Sequence, residues 1–204
     1  MQATTDPTVP SGPRRSAPGR LELVREFVNT ADLAAGDDEF AGLDALRAWL
    51  RERALIGPRD RLAPEDLQRA LAVREALRDL LEHRSGGSLG EPAVRALNAV
   101  PAGALLRVAF DQHGAPRLEP VNGGLDRALA ELFAIIHGAA LDGTWDRLKV
   151  CADDGCRWAY YDHSRNHSRS WCNMASCGNR AKARSYRRRH SPAGGQQPPA
   201  HPTS

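Results

Sequence analysis

The sequence predicts an α+β protein: a helix-dominated N-terminal domain with a β-hairpin, then a small four-cysteine module that ends in a basic helix. Three observations carry this. Leucines recur at three- and four-residue spacing in several stretches between positions 43 and 136, which is the period of an amphipathic helix. The alternating segment Leu106, Val108, Phe110 leads into the turn Asp111-Gln112-His113-Gly114 and a returning segment at 117–121, as a hairpin requires. All four cysteines fall after the last helical repeat, between positions 151 and 177.

In chain order, residues 1–20 and 191–204 are rich in Pro, Gly, Ser and Gln with almost no large apolar side chains. They cannot bury enough surface to offset their ordering entropy, so both are expected to be disordered tails. The ordered chain opens with LELVREFVNT at 21–30, whose period fits a helix or a strand, leading into a turn at Asn29 and Thr30. Leu43, Leu46 and Leu50 with Trp49 mark a short helix, and Gly57-Pro58 follows it. Pro64 with Glu65 and Asp66 makes a good helix start, because proline tolerates the first turn and acids complement the dipole. Leu67, Leu71, Leu77 and Leu81 carry that helix's stripe until Ser85-Gly86-Gly87 stops it, and Pro92 opens a shorter helix through Val94 and Leu97. After the hairpin, Leu125, Leu129, Leu132 and Ile136 repeat at helical spacing, with Gly138 and Gly143 expected to end the helix before Trp145. Residues 21–145 thus form one α+β domain that holds the main core.

No segment approaches the roughly 18 uncharged apolar residues of a membrane span, and the N-terminus lacks the apolar run of a signal peptide. A soluble, cytoplasmic protein without a membrane partner is the expectation. The net charge of +3 conceals a segregation: residues 1–148 hold 18 Lys and Arg against 22 Asp and Glu, residues 149–204 hold 10 against 3, and the two parts carry −4 and +7. No acidic residue follows Asp162, whereas Arg165, Arg169, Arg180, Lys182, Arg184, Arg187, Arg188 and Arg189 do. Such a distribution points to a polyanionic partner for the C-terminal part.

The cysteines read C-x4-C-x15-C-x4-C at Cys151, Cys156, Cys172 and Cys177. Two close pairs across one spacer can supply the corners of a tetrahedron, so one zinc ion held by four thiolates is expected, with iron–sulfur ligation as the alternative. Disulfides do not suit a chain expected in the cytoplasm. Four protein ligands leave no open position, so the metal is structural. His163 and His167 stand at i, i+4 but are not needed as ligands. Trp158, Tyr160, Tyr161, Trp171 and Tyr186 cluster around the cysteines and are expected to cover the ligand loops, with base stacking as the other use. Gly178 permits a tight knuckle, and Asn179 is the candidate N-cap of a helix over 180–189. That helix sets Arg180, Arg184, Arg187 and Arg188 near one face with Lys182 and Arg189 flanking. No acid relieves their repulsion, and phosphates would.

DNA is accordingly the first expected partner. The basic helix contacts phosphates and base edges, and Arg165 and Arg169 add backbone contacts from the loop between the cysteine pairs. RNA or an acidic protein surface are the alternatives. No nucleophile–base arrangement, phosphate-cradling glycine loop or open metal site is present, and His83, His113 and His137 are isolated, so catalysis is not expected.

The stretch 151–188, above all D-H-S-R-N-H-S-R-S-W-C-N-M-A-S-C-G-N-R-A-K-A-R-S-Y-R, resembles the CGNR zinc finger, named for the tetrapeptide that begins at Cys177. The likeness includes the D-x-S-R-N loop that begins at Asp162. Upstream, E-F-V-N-T at 26–30, A-L-R-A-W-L-R-E-R and A-V-R-E-A-L-R resemble the ABATE domain that precedes this finger. The resemblance implies a stress-induced transcriptional regulator with an ABATE domain at 21–145, a finger at 147–190, zinc on the four cysteines and nucleic acid on the finger. By analogy with other one-chain regulators, the N-terminal domain is expected to sense a small-molecule effector or to form a homodimer.

Overall fold

The leucine stripes become helices whose stripes turn inward. The computed structural model describes residues 15–84, 90–99 and 103–190, so the expected stop at Ser85-Gly86-Gly87 and most of the expected tails (1–14 and 191–204) lie outside the described residues. The segment of ambiguous period is a helix, α1 (Leu21–Val28), which buries Leu21, Val24, Phe27 and Val28. Next come β1 (Ala31–Asp32) and β2 (Asp37–Asp38), a two-residue antiparallel ladder that no sequence pattern announces. The helices α2 (Leu43–Glu52), α3 (Pro64–Arg84) and α4 (Glu91–Ala99) follow. At the start of α3 the Asp66 carboxylate accepts the Ala63 N–H at 2.8 Å, tying down an amide that the helix itself leaves unpaired.

The hairpin pairs β3 (Leu106–Phe110) with β4 (Pro116–Pro120), in register Leu106 to Pro120 and Phe110 to Pro116. Both strands lie at an edge, where proline's missing N–H is tolerated. The last helix of the domain is α5 (Gly124–Leu141). Gly138 lies inside it and does not stop it; the break falls at Gly143, whose φ of +77° is open to glycine at no steric cost. A 3-10 turn (Thr144–Arg147) then feeds a short hairpin of β5 (Leu148–Val150) and β6 (Ala159–Tyr161), and the chain closes with a π-helical turn (Met174–Gly178) and α6 (Asn179–His190).

One core runs through α1, α2, α3 and α5, where Val24, Leu46, Leu77, Leu81, Leu129 and Leu132 are buried. Phe27, Phe40 and Trp49 meet in a triangle of tilted and edge-on rings with centroids 5.6 to 5.8 Å apart. The same cluster continues past the domain boundary that the sequence suggests: Leu148, Val150, Ala159 and Tyr161 belong to it. The hairpin that carries the cysteines is therefore built onto the helical domain. The last part of the expected N-terminal tail is also packed, since Ala17 is buried, its N–H reaches Glu22 at 2.7 Å, and Arg20 pairs with Glu131.

Candidate metal centre

Cys151 follows directly on β5, and its N–H donates to the Trp158 carbonyl at 3.0 Å, which extends the β5–β6 ladder to the first ligand. The chain then turns through Asp153, whose carbonyl accepts from the N–H groups of Cys156 (2.7 Å) and Arg157 (3.0 Å). Arg157 sits in the left-handed region at φ 43°, an uncommon conformation for a side-chain-bearing residue. Two contacts hold it there. Its carbonyl accepts from Arg78 at 3.0 Å, and its guanidinium bridges Asp79 and Glu82 at 2.6 and 2.7 Å.

The second knuckle holds Cys172 and Cys177. Asn173 caps it, accepting the N–H groups of Ala175 and Ser176 at 2.8 and 3.3 Å. This corrects the expected cap: Asn179 has helical dihedrals, its amide donates to Ala175 O at 2.9 Å, and the π-helical turn runs into α6 without a break. Gly178 is likewise not in the left-handed region. What limits it is space, since a Cβ there would stand 2.4 Å from Met174 Sδ, the far end of a movable side chain.

All four sulfurs are buried and lie within 4.8 Å of one another. Cys156 and Cys172 Sγ are 3.7 Å apart, and Cys172 and Cys177 Sγ are 3.8 Å apart. A tetrahedron with Zn–S bonds of about 2.3 Å has edges of about 3.8 Å, so the donor set fits zinc in both size and chemistry. The charge argument agrees. Hydrogen bonds from Cys156 and Cys172 hold the Cys151 thiol far below its ordinary value, while the bond to Cys151 pushes Cys156 up to about 12, and bonds to Cys151 and Cys156 raise Cys172 as well. Negative charge on one sulfur disfavours it on the next, and a cation between them relieves that repulsion. The four cysteines form a single structural zinc site with no open position.

Trp158 and Trp171 pack against the cysteine cluster and Tyr160 is buried in it, as a covering role requires. Tyr161 joins the main core, and Tyr186 alone of the five stands exposed, stacked on His190 at 4.0 Å. His163 Nε2 donates to Ser16 O at 3.0 Å and its ring lies against that of Tyr161, while His167 is exposed; neither belongs to the ligand cluster.

The loop between the knuckles is wrapped around a buried carboxylate. Asp162 accepts from Ser164 N (2.9 Å), Ser164 Oγ (2.6 Å), Lys149 Nζ (3.0 Å) and Arg169 N (3.0 Å). Burial would raise its pKa, but these bonds outweigh burial and hold the carboxyl well below the usual range. Arg169 is held inward too. Its guanidinium reaches Cys172 O at 2.9 Å and lies 5.4 Å from the Tyr160 ring centre, whose hydroxyl donates to Arg169 O at 2.5 Å.

Of the other basic residues expected to meet a partner, two turn toward the protein. Asp153, with a side chain only 3% exposed, pairs with Arg180 Nε at 2.9 Å and Arg184 Nη2 at 3.0 Å. The expectation that no acid relieves the basic helix is thereby corrected: the acid comes from the first knuckle, 27 positions before Arg180. Lys182, Arg187 and Arg189 line a shallow depression around the exposed Tyr186, and Arg165 is exposed on the loop. Arg189 completes this face at i+7 from Lys182, a spacing that was readable in the sequence. Asn173 was readable as well, as an asparagine two residues before an N–H in need of a partner. Asp153 was not, since nothing local marks it.

A helical domain whose core runs into a hairpin bearing part of a closed four-thiolate centre, with a basic terminal helix, defines a zinc-organised class of protein. Residues 147–190 match the CGNR zinc finger, and residues 21–143 match ABATE, described as "Putative stress-induced transcription regulator". The chain belongs to the ABATE family, with a CGNR zinc finger as its C-terminal part, and is a zinc-binding regulatory protein. Both are regulatory or zinc-finger families and neither is enzymatic, in agreement with the sequence. None of the curated proteins matches the chain. Among the described residues, no helix is long and apolar enough to cross a membrane.

Proposed function

We propose that the protein is a cytoplasmic, stress-responsive transcriptional regulator that binds DNA through α6, with the zinc centre fixing the helix on the domain. The observation that carries this reading is the outward face of α6. Lys182, Arg187 and Arg189 surround Tyr186 there, in a helix without a single acidic residue, after a segment whose last acid is the buried Asp162. Like charges so arranged repel one another, and phosphates remove that cost. Arg165, exposed on the loop between the knuckles, would add a further phosphate contact, and the Arg188 side chain lies outside the described residues. Arg169, Arg180 and Arg184 are tied to the knuckles by the contacts described above.

The test is fluorescence anisotropy of the zinc-loaded chain with mixed-sequence duplex DNA over a range of salt. Engagement of about four phosphates gives a slope of log K against log salt of about −4. The triple variant Lys182→Ala, Arg187→Ala, Arg189→Ala should lower affinity at least tenfold and reduce the slope by about 3. Salt-independent binding, or an unaltered triple variant, refutes the reading. Binding of single-stranded RNA in preference to duplex would reassign the face to RNA. Retention of an acidic protein in the presence of excess DNA would reassign it to a protein partner.

A further inference from the structure

We infer that Arg180 is a positioning residue of the zinc centre and not a nucleic-acid contact: one guanidinium ties the Cys177 sulfur to the buried Asp153 carboxylate, and thereby tunes the thiolate and sets the direction in which α6 leaves the site. Arg180 Nη2 lies 3.0 Å from Cys177 Sγ while its Nε lies 2.9 Å from Asp153 Oδ2. Arg184, one turn on, places Nη2 3.0 Å from the other oxygen, Asp153 Oδ1. Asp153 therefore receives two arginines from one helix face, and its own backbone carbonyl holds the turn between Cys151 and Cys156. The first knuckle, the second knuckle and α6 meet at this one carboxylate.

Charge explains why both arginines are needed. Four thiolates around Zn2+ leave an excess of negative charge, and Asp153 adds to it within the same buried region. A buried carboxylate beside an anionic centre is costly unless paired, and Arg180 and Arg184 offset most of that negative charge. A forked, planar guanidinium meets a sulfur and a carboxylate oxygen with separate N–H groups in a fixed geometry, which a lysine ammonium lacks. The two arginines differ in one respect that an experiment can read. Arg180 donates to a ligand sulfur, whereas the ion pair of Arg184 is with Asp153.

This inference concerns the zinc centre and holds whatever α6 binds, so its test uses no nucleic acid. Zinc transfer from the full-length holo protein to a chromophoric chelator is followed, together with the thiolate-to-metal charge-transfer band of the cobalt-substituted protein. Arg180→Ala should speed transfer at least tenfold, since outer-shell partners of metal ligands contribute about 10- to 100-fold. It should also move the band to lower energy, because a thiolate that loses its N–H donor is easier to oxidise. Arg180→Lys should recover part of the transfer rate and leave the band shifted. Arg184→Ala should leave the band in place and change transfer far less. An unshifted band in Arg180→Ala, or an Arg184→Ala effect as large as that of Arg180→Ala, overturns the assignment. Should Arg180→Ala fail to fold, Arg180→Lys decides: wild-type transfer rate and band in that variant overturn it equally.

Discussion

The side-chain amide of Asn29 pairs with the backbone of Ala159 as a strand would: Nδ2 donates to Ala159 O at 2.8 Å, and Ala159 N donates to Oδ1 at 2.7 Å. Asn29 is the C-cap of α1, and Ala159 opens β6, 130 positions later. Both are buried. The amide therefore satisfies the free edge of β6 in a place water does not reach, and it fixes the zinc-bearing hairpin on the helical domain. The sequence element E-F-V-N-T at 26–30 has its physical meaning here, because Phe27 and Val28 fill the core and Asn29 docks the hairpin.

Asn29→Ala strands an N–H and a C=O of Ala159 and should destabilise the protein by about 2–3 kcal/mol, read as a lower urea midpoint with an unchanged slope. Asn29→Asp should be no better, since a carboxylate can accept the N–H but opposes the carbonyl. Full stability of Asn29→Asp would mean that the Nδ2 donation contributes nothing.

Arg78 makes the second joint between the two parts. It is fully buried, and its guanidinium donates to Val28 O at 2.6 Å, Ala31 O at 3.3 Å and Arg157 O at 3.0 Å, with Glu75 at 3.0 Å as its counter-charge. Burial lowers its pKa, and Glu75 partly offsets that. Arg78→Met keeps the volume but leaves three carbonyls without this donor and Glu75 with Arg74 alone, so a loss of about 3 kcal/mol or more is expected in equilibrium unfolding. A loss under about 1 kcal/mol would show that water replaces the guanidinium. Arg157 should respond in the same variant, since its left-handed backbone loses one of its supports.

Much of this architecture was legible because it is local. The stripes of α2, α3 and α5, the β3–β4 turn and the cysteine spacing each lie within a window of a few turns. The β5–β6 hairpin was hidden because Leu148–Val150 and Ala159–Tyr161 are three residues each, too short for alternation to show. The Asn179 cap was misread because a motif-level view starts a helix after the last cysteine, whereas Asn173 has already started the turn. The charge count failed differently. It treats arginines as equivalent, yet Arg180 and Arg184 face a carboxylate from the other knuckle and Lys182 and Arg189 do not, and only the fold separates them.

Asp162 gives a pH dependence with a definite sign. Its folded pKa lies below the ordinary value, so its contribution is complete above the unfolded carboxylate value of about 3.9 and is lost as pH falls through the folded one. Asp162→Asn should cost about 2 kcal/mol near neutrality through weaker hydrogen bonds to Ser164 and Arg169. The gap between variant and wild type should stay constant from pH 8 to about pH 5 and narrow below about pH 4. Urea unfolding across that range measures it. A gap that stays constant into strong acid would assign the effect to amide shape and not to ionisation.

Zinc removal should divide the molecule along a line that differs from the family boundary near residue 145. The knuckles and α6 bury little besides sulfur and the aromatics over it, so chelation should disorder them. The β5–β6 hairpin shares the helical core through Leu148, Val150, Ala159 and Tyr161, and it should persist. Far-UV circular dichroism should lose no more than the share of the π-helical turn and the 12-residue α6, and cooperative thermal unfolding should remain at a lower midpoint. Fluorescence in single-tryptophan variants should change for Trp158 and Trp171, which lie on the cysteine cluster, and stay constant for Trp49 and Trp145, which lie in the core. The converse experiment completes the case. An excised 147–190 segment leaves one face of the hairpin uncovered and both the Asn29 and Arg78 contacts unmade, so it should bind zinc at least tenfold more weakly than the full chain. Equal zinc affinity in the excised segment would show that the finger folds without the domain it is built on.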